Sequence, residues 1–167
     1  MSKKTLLDGK KILIVDDEPD VLSTLEELLT MCMVEKALSF QEAKDLLETQ
    51  HFDMAILDIM GVDGYSLLEI ATNRGVIAVM LTARALSPDD ALRSFKQGAA
   101  FYVPKDEMHD IATFLSDVLE ALKQGKHPWS RWVERLGAYF NTRFGAGWRD
   151  KDTDYWKDIA TFYGGDG

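Results

Sequence analysis

The chain has a single cysteine, no apolar run long enough to cross a bilayer, and no excess of basic residues. One cysteine, Cys32, excludes an internal disulfide, and its place between Met31 and Met33 at a helix end is that of a small packed hydrophobe. A spanning helix needs about 20 apolar residues in succession, and nothing here approaches that. The opening "MSKKTLLDGKK" has lysines, but the apolar run that follows ends at once in acids, so no secretory signal can be drawn. A water-soluble, cytoplasmic protein is expected. The net charge of −9 argues against wrapping nucleic acid, which requires a basic surface to release counterions. Repeats and low-complexity segments are absent too.

What is present is unevenly spread. The 167 residues suit one domain with an appendage. Residues 1–125 carry 12 basic and 22 acidic side chains, whereas residues 126–167 are close to neutral and hold all four tryptophans. That shift follows "KQGKHP" and sets the expected division: an N-terminal arm (1–10), a main domain (11–125) and an extension (126–167).

In the main domain, short runs rich in Val and Ile alternate with segments of helical period. This is the signature of a parallel sheet covered on both faces. Five strands are predicted: "KILIV" (11–15), a weaker "MVEKAL" (33–38), "DMAILD" (53–58), "VIAVMLT" (76–82) and "AFYVP" (100–104). Helix starts are expected at Ser39 with Glu42 as a capping box, at Ser87 before Pro88, and at Asp106 ahead of the run from Ile111 to Leu122. Gly75, Gly98 and Gly125 fall where helices should stop. The alternation predicts an open, doubly wound α/β fold with right-handed crossovers.

Such a sheet gathers functional residues beyond the carboxyl ends of its strands. Asp16 and Asp17 follow the first strand, Asp58 ends the third, Thr82 and Ala83 the fourth, and Pro104 and Lys105 the fifth. Like charges at about 4 Å oppose each other by roughly 4 kcal/mol at an effective dielectric near 20, so a cluster of carboxylates calls for a counter-charge. An all-oxygen site of this kind suits Mg²⁺ shared with a phosphate oxygen. The Lys105 ammonium, the Thr82 hydroxyl and the Ala83 backbone N–H could stabilise a transferring phosphoryl group, with Asp58 as nucleophile. Taken singly each residue has a plainer role: Asp17 or Glu18 could cap the helix that Pro19 begins, and Lys105 could be a solvated charge. Four strand ends with compatible groups favour a site.

The motifs "ILIVDDE", "MAILDIMGVDG", "VMLTA" and "GAAFYVPK" make residues 11 to about 124 resemble the receiver domain of two-component response regulators. The resemblance implies a flavodoxin-like, five-stranded sheet of order 2-1-3-4-5. It implies Mg²⁺ held by Asp16, Asp17, Asp58 and the backbone carbonyl of Met60, with Asp58 as phosphoacceptor. Thr82 and Lys105 would sense the phosphoryl group, and Tyr102 would be an aromatic switch that shifts the fourth helix, fifth strand and fifth helix between two arrangements. The donor would be a sensor histidine kinase or phosphotransfer protein, with the domain catalysing its own phosphorylation and dephosphorylation. Two departures stand out. The loop "DIMGVDG" is two residues shorter than usual and lacks a Met-Pro pair. Also, Pro104 precedes Lys105 where many members place proline after the lysine; a cis Lys105–Asp106 bond would cost about 3 kcal/mol, so a trans bond or visible strain is expected.

The extension is too short for a winged helix and has no basic recognition helix, so DNA binding is not expected. Trp129, Trp132, Leu136, Tyr139 and Phe140 form one helical stripe, with Arg131, Glu134 and Arg135 opposite. A second stripe, Trp156, Ile159, Ala160 and Tyr163, follows Asp152 or Thr153 as cap. Helices this short must dock, either on the fifth helix of the same chain or on a homodimer or partner surface. The leading functional reading is a phosphorylatable switch that signals to a downstream protein. The alternatives are a phosphorylation-independent receiver-like binding module and a phosphohydrolase, the latter disfavoured because Met60 stands where a second aspartate would be needed.

Overall fold

A computed structural model of the chain describes residues 5–83 and 88–145, except the side chains of Pro88 and Trp129. Five strands, β1 (Lys11–Val15), β2 (Met33–Ala37), β3 (Met54–Asp58), β4 (Ile77–Thr82) and β5 (Phe101–Pro104), pair in parallel in the order β2-β1-β3-β4-β5. Between and after them run α1 (Pro19–Leu28), α2 (Phe40–Thr49), α3 (Gly64–Asn73), α4 (Pro88–Lys96), α5 (Ile111–Lys123) and α6 (Trp129–Phe144). The fold is the expected doubly wound α/β sheet, with strand bounds within one residue of those read from the sequence.

Burial explains the strands. Every residue of the central β3 is buried, as a sheet covered on both faces requires. By contrast β2 is an edge, with Glu35 and Lys36 exposed, which is why its run was the weakest to read. Register then aligns the strand tips. Val15 pairs with Leu57 and Asp58 with Leu81, so Asp16, Asp58 and Thr82 stand side by side at one rim.

Local signals account for the starts of α2 and α1. Ser39 Oγ accepts from the Glu42 N–H at 3.2 Å, and the Glu42 carboxylate accepts from the Leu38 N–H at 3.0 Å, so the box closes one residue earlier than usual. Pro19 opens α1 after Glu18, which occupies the cap position without a side-chain bond. Asp106 does not start α5. A 3-10 turn over Lys105–Asp110 intervenes, and Asp110 precedes the helix without a side-chain cap. All peptide bonds among the described residues are trans, Lys105–Asp106 included. The expected cap at Ser87 and the second C-terminal stripe from Trp156 to Tyr163 lie outside the described residues.

The extension's first helix docks on its own chain. Trp132, Leu136 and Phe140 are buried, and each such side chain stabilises by about 1.5–3 kcal/mol on transfer from water. That supplies what a short isolated helix lacks. Trp132 meets Phe95 of α4 edge-on at 5.2 Å, and its indole N–H donates to the Tyr102 carbonyl of β5 at 2.8 Å. Arg131 and Arg135, opposite the apolar stripe, reach Asp117 of α5, which is only 5 % exposed. In the connection before α6, burial holds the His127 imidazole at a pKa of about 4, opposed by a hydrogen bond with the Ala99 backbone.

Candidate functional site

Asp16 follows the buried tip of β1 and is itself fully buried. Its Oδ1 accepts from the Glu18 N–H at 2.9 Å, closing the turn into α1. Its Oδ2 pairs with the Lys105 ammonium, 2.8 Å away. Lys105 also lies 3.6 Å from Asp58 Oδ1 and 3.9 Å from Glu18 Oε1. Burial alone would lower the Lys105 pKa, but the bond to Asp16 and the charges of Asp58, Asp16 and Glu18 outweigh it and raise it.

Asp58 ends β3 at 3 % exposure. Burial first, then the Asp16 charge, push its pKa up to about 7, with the Lys105 ammonium only partly opposing them. The fold therefore holds this carboxylate where its anion is poorly supported. Asp17 is exposed, and the carboxylates of Asp16, Asp17 and Glu18 can bring oxygens within 4.8 Å of one another.

The short loop after Asp58 is built on two glycines. Gly61 lies at φ +85°, and a Cβ there would sit 2.6 Å from Asp17 Oδ2. A Cβ on Gly64 would fall 2.2 Å from the Asp58 carbonyl oxygen. A Cβ on Gly64 would collide with main chain, and one on Gly61 would have to displace the Asp17 carboxylate, so the loop packs closely beside the acidic cluster. Just before Gly64, Asp63 takes a left-handed conformation at φ 53°, as short polar side chains tolerate.

The sequence-predicted residues divide by place. Asp16, Asp58 and Lys105 are in mutual reach, Asp17 borders them, and Thr82 is buried at the tip of the neighbouring strand. Ala83 follows Thr82 at the exposed rim. The Met60 side chain is 63 % exposed, leaving its main chain as its contribution to the loop. Tyr102 pairs in register with Met80, two residues below Thr82, and is fully buried with the Phe140 ring 6.2 Å away. Sequence reasoning missed Gly61, Gly64 and the approach of Glu18 to Lys105. The shortened loop was a visible sign of the first two.

The acidic pocket meets what a hard divalent cation asks of a protein. Asp16, Asp17 and Glu18 bring carboxylate oxygens within 4.8 Å of one another, and the charges of Asp16 and Asp17 both bear on Asp58, an all-oxygen, crowded set of anions.

Comparison with known proteins agrees with this geometry. The family model for the response regulator receiver domain matches residues 12–115. The two-component response regulator ARR18 of Arabidopsis thaliana is 34 % identical over 103 residues, 58 % of this chain and 16 % of that protein. The heme response regulator HssR of Staphylococcus aureus strain Newman is 38 % identical over 99 residues, 56 % of this chain and 43 % of its own. The chain thus spans less than half the length of either relative. Among solved structures, a CheY-like receiver domain protein from Methanospirillum hungatei JF-1 superposes with a TM-score of 0.63 at 27 % identity, covering 71 % of this chain and 99 % of that one. The response regulator DrrB of Thermotoga maritima gives 0.58 at 28 % identity, covering 71 % and 55 %. With five parallel strands in the order 2-1-3-4-5 and acids at their tips, the chain belongs to the response regulator receiver domain family.

Proposed function

We propose that the chain is a phosphorylatable switch that takes a phosphoryl group from a sensor histidine kinase or phosphotransfer protein onto Asp58. The observation that carries this is the buried Asp58 carboxylate, raised to a pKa of about 7 and set 3.6 Å from the Lys105 ammonium. In the transfer, an Asp58 oxygen bonds to phosphorus as the phosphorus–nitrogen bond of a phosphohistidine breaks. The electron pair leaves on the imidazole, which takes up a proton. Lys105 turns from Asp16 toward the new anionic oxygens. The Thr82 hydroxyl and Ala83 N–H, at the adjacent strand tip, donate to the same group.

Asp16, Asp17, Asp58 and the Met60 carbonyl are the residues that would hold Mg²⁺. Bound there, it would neutralise charge building on the phosphoryl oxygens. Hydrolysis by water later returns the carboxylate. The receiver unit is taken as 11–125, with 1–10 as an arm and 126–167 as an extension. Among the described residues no helix is long and apolar enough to cross a membrane, which is compatible with a cytoplasmic role. Output is through protein contacts. Arg131, Arg135 and Arg143 each face a carboxylate, which counts against their serving DNA phosphates.

Mg²⁺-dependent labelling by a small phosphodonor tests the proposal: the native chain gains one acid-stable, alkali-labile phosphoryl group, and Asp58→Asn gains none. A native protein that binds Mg²⁺ yet never acquires the group would instead be a phosphorylation-independent binding module. The shortened, glycine-walled loop is the feature that favours this second reading.

A further inference from the structure

Lys105 lies on a short segment that α6 grips on both sides. Three residues before it, the Tyr102 carbonyl accepts from the Trp132 indole at 2.8 Å. One residue after it, Asp106 Oδ2 accepts from Arg143 at 2.7 Å and from the Tyr139 hydroxyl at 3.3 Å. A third clasp holds the helix to α5: Asp117 accepts from Arg135 Nε at 2.8 Å and lies 3.4 Å from Arg131 Nη1, while Arg131 also reaches Glu120 at 2.7 Å. Phe95 extends the contact to α4. The helix therefore spans α4, β5 and α5 and is bonded to the main chain and turn that carry the site's only close cation among the described residues.

We propose that α6 is a cover whose docking is linked to the state of Asp58: it stabilises the arrangement in which Lys105 rests on Asp16, and phosphorylation loosens it. This rests on the phosphoacceptor reading above. The ammonium is now closer to Asp16 than to Asp58, 2.8 against 3.6 Å. A phosphoryl group on Asp58 adds negative charge on that side and reverses the preference. Moving Lys105 shifts its covalent neighbours, and with them the Tyr102 carbonyl and the Asp106 carboxylate. Hydrogen bonds weaken steeply when misaligned, so α6 loses contacts fitted to the resting geometry. Once loosened, its stripe of Trp132, Leu136 and Phe140 becomes available to a partner, and so does the face beneath it. Linkage is reciprocal: if phosphorylation weakens docking by some factor, docking disfavours the phosphorylated state by the same factor.

Amide hydrogen exchange on the full chain, with and without Mg²⁺ and beryllofluoride as the acyl-phosphate mimic, decides the matter. The expected result is protection of the loop after Asp58 together with exchange over residues 129–144 that is about fivefold faster or more, the lower end of typical couplings. Arg135→Glu, which sets a like charge against Asp117, should bind beryllofluoride more tightly by a similar factor. Protection near Asp58 with unchanged or slower exchange in α6 overturns the linkage and leaves the phosphoacceptor reading intact. No protection near Asp58 overturns both. The wild-type comparison needs no variant, so the decision does not depend on how Arg135→Glu folds.

Discussion

Replacing Asp58 by asparagine should stabilise the metal-free protein, by an amount that grows with pH. The carboxyl moves from 3.8 to about 7 on folding, and each unit corresponds to about 1.36 kcal/mol, so the native state disfavours the Asp58 anion by about 4 kcal/mol. A group whose folded pKa is raised binds its proton more tightly when folded. Its contribution is full below 3.8, declines as pH rises toward 7, and is exhausted above that. Asparagine does not titrate, and the ion pair between Lys105 and Asp16 survives the change. Urea denaturation of both proteins in a chelating buffer, from about pH 4 to about pH 8, should therefore show the gap between them widen by about 4 kcal/mol in favour of the variant. Adding Mg²⁺ at high pH should narrow the gap, because a ligand that binds only the native state stabilises it by mass action. Pairs of denaturation curves that run parallel across this pH range would refute the claim that the fold holds Asp58 against burial and Asp16.

Three further outcomes are expected. Gly61→Ala should cost roughly 1–2 kcal/mol for its left-handed backbone and weaken Mg²⁺ binding about tenfold or more by displacing Asp17; calorimetric titration with Mg²⁺ reads this, and unchanged affinity counts against Asp17 as a ligand. Trp132→Phe loses the bond to the Tyr102 carbonyl and leaves a gap where the fully buried indole stood, so the denaturation midpoint should fall by the equivalent of about 2 kcal/mol or more. Burial, with Asp8 adding, raises the Cys32 thiol from 9.0 to about 11, so a disulfide reagent at about pH 8 should modify the native protein about a hundredfold more slowly than the unfolded chain. Equal rates would mean that the thiol is not packed.

The strands were legible because parallel sheets are written as uninterrupted apolar runs. β3 is the plainest case, while Glu35 and Lys36 blurred β2 because an edge strand tolerates charge. The acidic rim was legible for the same reason, since a carboxylate ending a buried run has few structural excuses. Long-range pairings left no such trace. Asp106 read as a helix cap by its position, but Arg143, 37 residues away, binds it. Arg131 and Arg135 could be placed only as opposite the apolar stripe, because helical period reports apolarity, not where a buried acid such as Asp117 waits on another helix. The loop's brevity was visible; that its glycines press main chain against Asp17 and Asp58 depends on coordinates alone.

The indole bond to Tyr102 has a practical corollary. β5 is the outermost strand on its side of the sheet, all four of its residues are buried, and Pro104 is its terminal member. Cutting the chain before α6 would not yield a tidy minimal domain. It would bare apolar surface on an edge strand, the kind of template on which foreign strands accrete, so a shortened protein should precipitate where the longer one stays in solution.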